Sequence, residues 1–376
     1  MARPERQLVA TKDQRAGSTS GELRSSYSIL EGGRRHTIHV SARGRDTRRA
    51  FGGGDLRNLG PAAIGERADV PEFDFAFRPL THDRVRQVTG GVGYELRWPG
   101  VIEVALGVQK TNYEKTTIIP GGPTVTTNDR PWLYNGTVAL NLTGRLVAYA
   151  GYTRGLEESA VAPANAVNRN SAPPALRTSQ RDAGLRYAIS PRLSLVGGVF
   201  DVRKPYFNVD SEFVYRQLGT VRHRGVELSL AGQPVGGLSV VGGAVFLDAK
   251  VSGEAVDLGI IGPRPVGTTA RTIRANFDYR LPVFDALSVD LGITNQSGQV
   301  ASAAPYVELG GRQLRTEPRT LVDIGARYRF KLGAVPATLR AQVTNLFDVY
   351  AWKVGSNAAF RFIDERRFLL SLAADM

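Results

Sequence analysis

Apolar and polar residues alternate with a period of two in segment after segment of this chain. From Val88 to Trp98, the residues Val88, Val92, Tyr94, Leu96 and Trp98 share one face, and Thr89, Gly91, Gly93, Glu95 and Arg97 share the other. After Pro99-Gly100 the pattern restarts with Ile102, Val104, Leu106 and Val108 against Glu103, Ala105 and Gly107, so the two runs predict a hairpin. The same layout returns at Val138–Leu142, Leu185–Ile189, Val226–Leu230, Ile273–Tyr279, Leu287–Ile293, Val322–Phe330, Leu339–Val343 and Phe368–Leu372. Tight turns are predicted near residues 99, 143, 190, 234, 283 and 333. Between the hairpins lie long segments rich in Pro, Gly, Asn and charge, at roughly 44–84, 113–131, 154–179, 204–221, 250–269, 298–318 and 346–365. Short and long connections therefore alternate strictly.

That regularity suits an all-β fold, a membrane-spanning antiparallel β-barrel with short periplasmic turns and long outer loops. A small soluble barrel fills its interior with apolar side chains, whereas here one face of most strands carries Arg, Asp, Glu, Asn and Thr. The polar face then points to a lumen and the apolar face to lipid. Glu95, Glu227, Asp290, Arg327 and Arg340 are expected inside, and Val104, Leu228, Leu291 and Ile324 outside. Trp98, Tyr152, Phe200, Tyr279, Phe330 and Trp352 sit where interfacial girdles are expected. Fifteen strands are clear, from about 22–31 to about 366–374, and a weak sixteenth lies near 5–12. An odd number cannot close antiparallel, and an open edge in lipid leaves backbone groups unpaired. Either the sixteenth strand closes a porin-sized barrel or further strands precede it.

Composition narrows the chemistry. There is no cysteine, which excludes disulfides, thiolate metal sites and Cys nucleophiles. No run approaches the ~18 consecutive apolar residues of a spanning helix. The net charge is +13, which suits an anionic partner such as nucleic acid, lipopolysaccharide or an acidic ligand, or an arginine-biased composition around a solvated lumen; the spread of the charge along the chain gives no nucleic-acid footprint. The clearest basic cluster, Arg43, Arg45, Arg48 and Arg49, is expected in a loop. His36 and His39 stand three apart on a predicted strand, so they face opposite sides and do not chelate one metal. Gly52-Gly53-Gly54 lacks the Gly-Lys-Ser/Thr ending of a phosphate loop. No catalytic motif, metal site or cofactor fingerprint appears, so an enzyme is not expected. Met1-Ala2-Arg3-Pro4 opens no signal peptide. An exported barrel needs one, so an N-terminal part is expected to be missing.

The segment Val343-Thr344-Asn345-Leu346-Phe347-Asp348-Val349-Tyr350 resembles the C-terminal signature of TonB-dependent receptors, carried by Asn345, Leu346, Phe347, Asp348 and Tyr350. Gly225-Val226-Glu227-Leu228 is similar to a motif of that family's later strands, and Phe200-Asp201 through Tyr206 and Tyr152-Thr153-Arg154-Gly155 look like its strand-to-loop transitions. The resemblance implies a barrel of 22 strands closed by an N-terminal plug. Residues 1–376 would supply the last fifteen or sixteen strands, without plug or first strands. It also implies a Gram-negative outer-membrane location, lipid around the barrel, insertion by the barrel assembly machinery, and coupling to TonB through the plug. The ligand class it implies is a scarce nutrient, foremost an iron–siderophore complex, with cobalamin, haem and glycans as alternatives; the fragment alone would be inactive. A 16-stranded diffusion porin is the alternative. One departure is the ending Ala373-Ala374-Asp375-Met376, where the family usually has an aromatic residue; Phe368 is the nearest substitute. Ligand contact is expected from outer-loop Tyr, Phe and Arg, which stack and pair with anions: Arg154, Tyr206, Phe213, Tyr215 and Arg216.

Overall fold

A computed structural model describes residues 5–61, 69–163, 166–169, 171–355 and 360–374. In chain order the strands are β1 (Glu5–Ala10), β2 (Arg15–Glu31), β3 (Arg34–Phe51), β4 (Asp55–Pro61), β5 (Thr81–Trp98), β6 (Ile102–Ile118), β7 (Thr124–Asp129), β8 (Trp132–Thr143), β9 (Leu146–Glu157) and β10 (Leu176–Ser190). They continue as β11 (Leu193–Val209), β12 (Tyr215–Val235), β13 (Leu238–Ser252), β14 (Arg271–Arg280), β15 (Leu287–Gln296), β16 (Arg319–Leu332), β17 (Val335–Thr344), β18 (Trp352–Val354), β19 (Phe360–Phe362) and β20 (Arg367–Ala374). The one α-helix among the described residues, α1, is the single turn Glu254–Asp257. Among the described residues no helix is long and apolar enough to cross a membrane.

One antiparallel wall holds the structure together, in the order β2-β3-β5-β6-β8-β9-β10-β11-β12-β13-β14-β15-β16-β17-β20, with β7 added beside β6. These are the fifteen strands the alternation predicts, with the first beginning at Arg15 rather than near residue 22. The expected sixteenth strand exists as β1 but pairs with β4 in a separate two-stranded sheet, from Glu5↔Pro61 to Ala10↔Asp55. It therefore does not close the wall as the porin alternative requires. β2 and β20 are the two edges, and neither pairs with the other.

Cross-strand register fixes which residues share a face. Thr37↔Glu95↔Ala105↔Thr137↔Gly151↔Asp182↔Phe200↔Gly225 is one continuous row. Glu227 lies two residues on from Gly225, on the same face. At the other end Asp278↔Asp290↔Gly325↔Gln342 shares that face with Arg327 and Arg340. The opposite face carries Leu96↔Val104↔Val138 and Phe277↔Leu291↔Ile324↔Val343↔Phe368. All nine facing expectations hold. His36 meets the Tyr94 hydroxyl at 2.8 Å on the apolar face, while His39 meets Ser26 at 2.7 Å on the polar face. Two girdle assignments fail. Phe200 stands on the polar face against Gly225, where a Cβ would lie 2.6 Å from its ring, and Trp352 leaves the wall altogether on β18.

Polar side chains on the inner face reach across whole strands. Arg43 on β3 donates to Gln109 on β6 at 3.0 Å, over β5. Arg340 on β17 approaches Asp290 on β15 at 3.7 Å, over β16, and Arg327 on β16 pairs with Asp278 on β14. Two of the three crossings pass beside glycines. A Cβ at Gly325 would lie 2.6 Å from the Asp290 carboxylate, and one at Gly91 would lie 2.6 Å from Gln109. The glycines scattered through the inner face thus leave room for side chains that lie flat over the wall.

The tight turns fall as predicted, between Trp98 and Ile102, Thr143 and Leu146, Ser190 and Leu193, Val235 and Leu238, Arg280 and Leu287, and Leu332 and Val335. The outer loops were overestimated. Strands β3, β5, β6, β11, β12 and β13 run 15 to 21 residues, whereas a tilted strand crosses the bilayer in ~9–11. Above the membrane both faces meet water, so period two fades while the backbone ladder continues. The basic cluster Arg43, Arg45, Arg48 and Arg49 accordingly lies on β3, not in a loop. Asp46 between them accepts from Arg84 Nε at 3.0 Å, and Arg49 pairs with Glu158 at 3.1 Å.

Candidate ligand-binding mouth

The long connections gather at one end of the wall. The signature segment begins there, at the end of β17. Asn345 is buried and takes up the left-handed conformation (φ 49°) that Asn tolerates better than most residues. Its amide donates to the Val349 and Asp364 carbonyls at 3.0 and 3.1 Å, and its side-chain oxygen accepts from the Val349 N–H at 2.9 Å. Its own N–H donates to Asp323 at 2.8 Å. Asp348 accepts from the Arg366 N–H at 3.0 Å, and the Leu346 N–H reaches the Val322 carbonyl at 2.7 Å. Asn345 and Asp348 therefore pin both ends of the last loop, while Phe347 and Tyr350 stay exposed. Asn345→Ala strands three backbone groups and is expected to destabilise the loop by about 2–3 kcal/mol. Faster protease cleavage between Leu346 and Arg366 would show it, and cleavage at the parent rate would contradict it.

The pinned loop projects a hairpin, β18–β19, whose rings cluster. Trp352 and Phe362 lie 3.7 Å apart between centroids, Phe360 meets Trp352 edge-on at 6.1 Å, and Tyr350 lies 5.2 Å from Phe362. Arg319, at the start of β16 on the inner face, donates to the Trp352 carbonyl at 3.1 Å. The Val354 N–H donates to Gln299 at 3.1 Å. The hairpin is thereby held on the inner side of the mouth, with Tyr350 67%, Phe360 44% and Phe362 43% exposed. Sequence reading placed these residues in the long segment 346–365, with Trp352 assigned to a girdle. The signal for the cluster was the pair of short alternations Trp352-Lys353-Val354 and Phe360-Arg361-Phe362.

The five residues expected to contact ligand do not form one site. Tyr206 and Tyr215 line a cleft of about 380 Å³ with Lys204, His223, Leu176 and Pro265. Burial raises the pKa of both tyrosines, and burial together with the Lys204 charge lowers that of His223. Asn168, from the connection after β9, donates to the Tyr215 carbonyl at 2.9 Å and accepts from its N–H at 2.8 Å, so the loop docks there as a short false strand. Phe213 stands at the tip of the β11–β12 hairpin with φ 61° and is 59% exposed. Arg216 is already engaged, with a fork to Glu254 at 2.6 and 2.9 Å and a bond to Asp210 at 2.6 Å. The Val214 N–H and Arg216 hold the Asp210 carboxyl below the usual range. Arg216 thus braces the hairpin tip against α1. Arg154 does not begin a loop. It lies on β9, on the lipid-side face, donating to the Tyr134 hydroxyl at 3.2 Å.

A buried ion cluster ties the connection after β9 to the inner wall. Lys115, 2% exposed, donates to the Ser159 carbonyl at 2.7 Å, with Glu158 at 3.4 Å and Asp83 at 3.6 Å. Tyr113 beside it is pushed up to about 12 by burial and the Glu158 charge.

Comparison with known proteins explains this architecture. The family model "TonB dependent receptor-like, beta-barrel" matches residues 8–346. The chain belongs to the TonB-dependent receptor family. Its wall is an outer-membrane barrel of the kind found in Gram-negative bacteria. The ferrichrome receptor FcuA of Yersinia enterocolitica is 26% identical over 212 residues, covering 56% of this chain and 27% of that protein. The ferric preacinetobactin receptor BauA of Acinetobacter baumannii superposes with a TM-score of 0.81 at 20% identity, over 98% of this chain and 55% of BauA. The ferripyoverdine receptor of the Pseudomonas aeruginosa outer membrane gives 0.76 at 16% identity, over 97% and 49%. The TonB-dependent receptor chain thus spans about half the length of the solved receptors it matches.

Proposed function

We propose that this wall is the barrel and outer mouth of a receptor for TonB-dependent uptake of a ferric siderophore. The exposed aromatic hairpin of Tyr350, Trp352, Phe360 and Phe362 carries the reading: large rings held over the inner side of a polar lumen are a platform for a flat, partly aromatic chelate. The named ligands of its relatives, ferrichrome and ferric preacinetobactin among them, point the same way. Phe213, exposed at the tip of the β11–β12 hairpin, and the cleft of Tyr206 and Tyr215 supply further rings at the same end of the wall. In this reading the chelate arrives from outside and meets the hairpin first. TonB acts through a plug domain seated in the lumen, and the barrel assembly machinery inserts the whole. The reaction is transport; no bond of the ligand is broken by the wall.

The test uses the complete receptor displayed on cells. Replacing both Trp352 and Phe362 with Ala removes the stacked centre of the platform, and is expected to weaken binding of the cognate ferric siderophore about tenfold at unchanged surface level. A panel of hydroxamate, catecholate and mixed chelates identifies the cognate one by growth under iron limitation. Binding unaltered in the double variant would remove the hairpin from the site.

A further inference from the structure

Toward the mouth, the inner face of β11 and β12 changes from polar to ring-bearing. Register places Val202↔His223 two residues beyond Phe200↔Gly225, and Lys204↔Val221 two residues beyond that. There the wall opens into the cleft of about 380 Å³ beside Tyr206 and Tyr215. Its walls are rigid rings. Pro173 comes from the connection after β9, Pro205, Tyr206, Phe207 and Tyr215 from the β11–β12 hairpin, and Pro265 from the connection after β13. Proline has no side-chain freedom to lose, and tyrosine has little. Closing on a ligand therefore costs these walls little entropy. The base behind them is packed: Tyr206 rests on a core of Val221, Val251, Ala255 and Ile261, all buried. The cleft cannot fill itself by collapse.

The polar groups around it are tied back or neutral. The Tyr206 hydroxyl accepts from the Asn208 amide at 3.1 Å, and the Thr268 hydroxyl donates to the Pro265 carbonyl at 2.7 Å. Lys204 leans toward Glu157 at 3.9 Å. Burial, with the Lys204 charge, lowers the His223 pKa, so the imidazole is neutral at pH 7. Among the described residues no carboxylate lines the cleft. The volume lies near the bottom of the ~300–1,000 Å³ that pockets offer to drug-sized ligands, so it holds part of a ligand rather than the whole. Flat walls without a free charge suit one planar, uncharged group.

We propose that the cleft is a second binding site that takes an uncharged aryl group, packed against Tyr206 and Tyr215 and edged by the three prolines. On the ferric-chelate reading of the mouth, on which this assignment rests, the aryl group is the arm of the chelate that does not hold the iron. The β18–β19 rings meet the remainder. The preferred substrate is then a chelate with a pendant aromatic arm, and chelates with the same iron-binding groups but no such arm bind less well.

The experiment uses the complete receptor in detergent with a thiol placed at the rim of the cleft. Residues 1–376 contain no cysteine, and Ala160 lines the cleft while exposed to solvent. Ala160→Cys is equilibrated with disulfides of cysteamine that carry a benzoyl, an acetyl or a succinyl group, under a fixed excess of reducing thiol. Thiol–disulfide exchange then reports how well each group seats beside the introduced thiol. Benzoyl capture is expected to exceed acetyl capture at least about tenfold, with succinyl no better than acetyl. Val266→Trp, added to fill the cleft, should abolish the preference, and Leu176→Trp replaces it if that protein fails to assemble. The same probes at Val283→Cys, in the fully exposed turn between β14 and β15, should show no preference. Equal capture of benzoyl and acetyl, a preference that survives filling, or a lead for succinyl overturns the proposal. Replacing Trp352 and Phe362 with Ala should leave the preference intact, so the cleft and the aromatic hairpin stand or fall separately. Loss of the preference there would make the two one site and overturn the assignment.

Discussion

Refolded by itself into detergent or lipid, the chain 1–376 is expected to give no heat-resistant, fast-migrating band on electrophoresis, the behaviour of a closed barrel. β2 and β20 are bare edges. Fifteen alternating strands set those two edges running in the same direction, so they cannot zip together as an antiparallel pair. Each edge group left unpaired in hydrocarbon costs several kcal/mol, and a whole strand presents many. β1 offers no remedy, because its ladder is used on β4. β2 also turns Leu23 and Tyr27, 78% and 69% exposed, toward whatever lies beside the wall. A band whose mobility shifts on boiling would mean that the wall closes unaided, and would reopen the porin reading.

An arginine at mid-membrane on the lipid side is the next largest effect. Leu291 and Ile324 are direct cross-strand partners on the apolar face of β15 and β16, near the middle of the spanning stretch. Leu291→Arg or Ile324→Arg should each destabilise the assembled receptor by about 2–4 kcal/mol in denaturant titrations in bilayers, the range for an Arg at the bilayer midplane. Gln342→Arg, on the inner face and close to Asp290, should cost less than about 1 kcal/mol, because a polar lumen solvates it. A larger loss for Gln342→Arg than for Leu291→Arg or Ile324→Arg would mean that inside and outside are assigned the wrong way round.

The sequence made the wall legible because lipid imposes a rule on every spanning residue. Leu291 must be apolar and Asp290 need not be, and that contrast repeats strand by strand. Once the strands leave the membrane the rule lapses. Arg43, Arg45, Arg48 and Arg49 read as a loop although they continue β3, because water accepts any side chain on either face. Phe200 misleads for a related reason: an aromatic residue at a strand end is sorted by a neighbouring glycine, Gly225, as readily as by the interface. The mouth was the least legible part. Asn345 was recognised through family resemblance, but that it pins the loop follows from bonds to Val349 and Asp364 that no local pattern announces. Arg216 was chosen as an anion-pairing ligand contact and is tied to Glu254, 38 residues away. Arg154 was chosen for the mouth, and its strand parity, countable from Tyr152, already set it on the outer side.

The flat, strand-crossing side chains of the inner wall bear on whatever moves through the lumen. A passage lined by upright, unpaired charges would be sticky, with every displacement breaking one contact before another forms. Here Arg43 is engaged with Gln109, Arg327 with Asp278, and Arg340 lies toward Asp290, and Gly91 and Gly325 leave room for the first and last to lie low. At these three places the polar groups face one another along the wall rather than standing free into the lumen. Filling the troughs with larger residues at Gly91 or Gly325 would roughen that surface without altering its net charge.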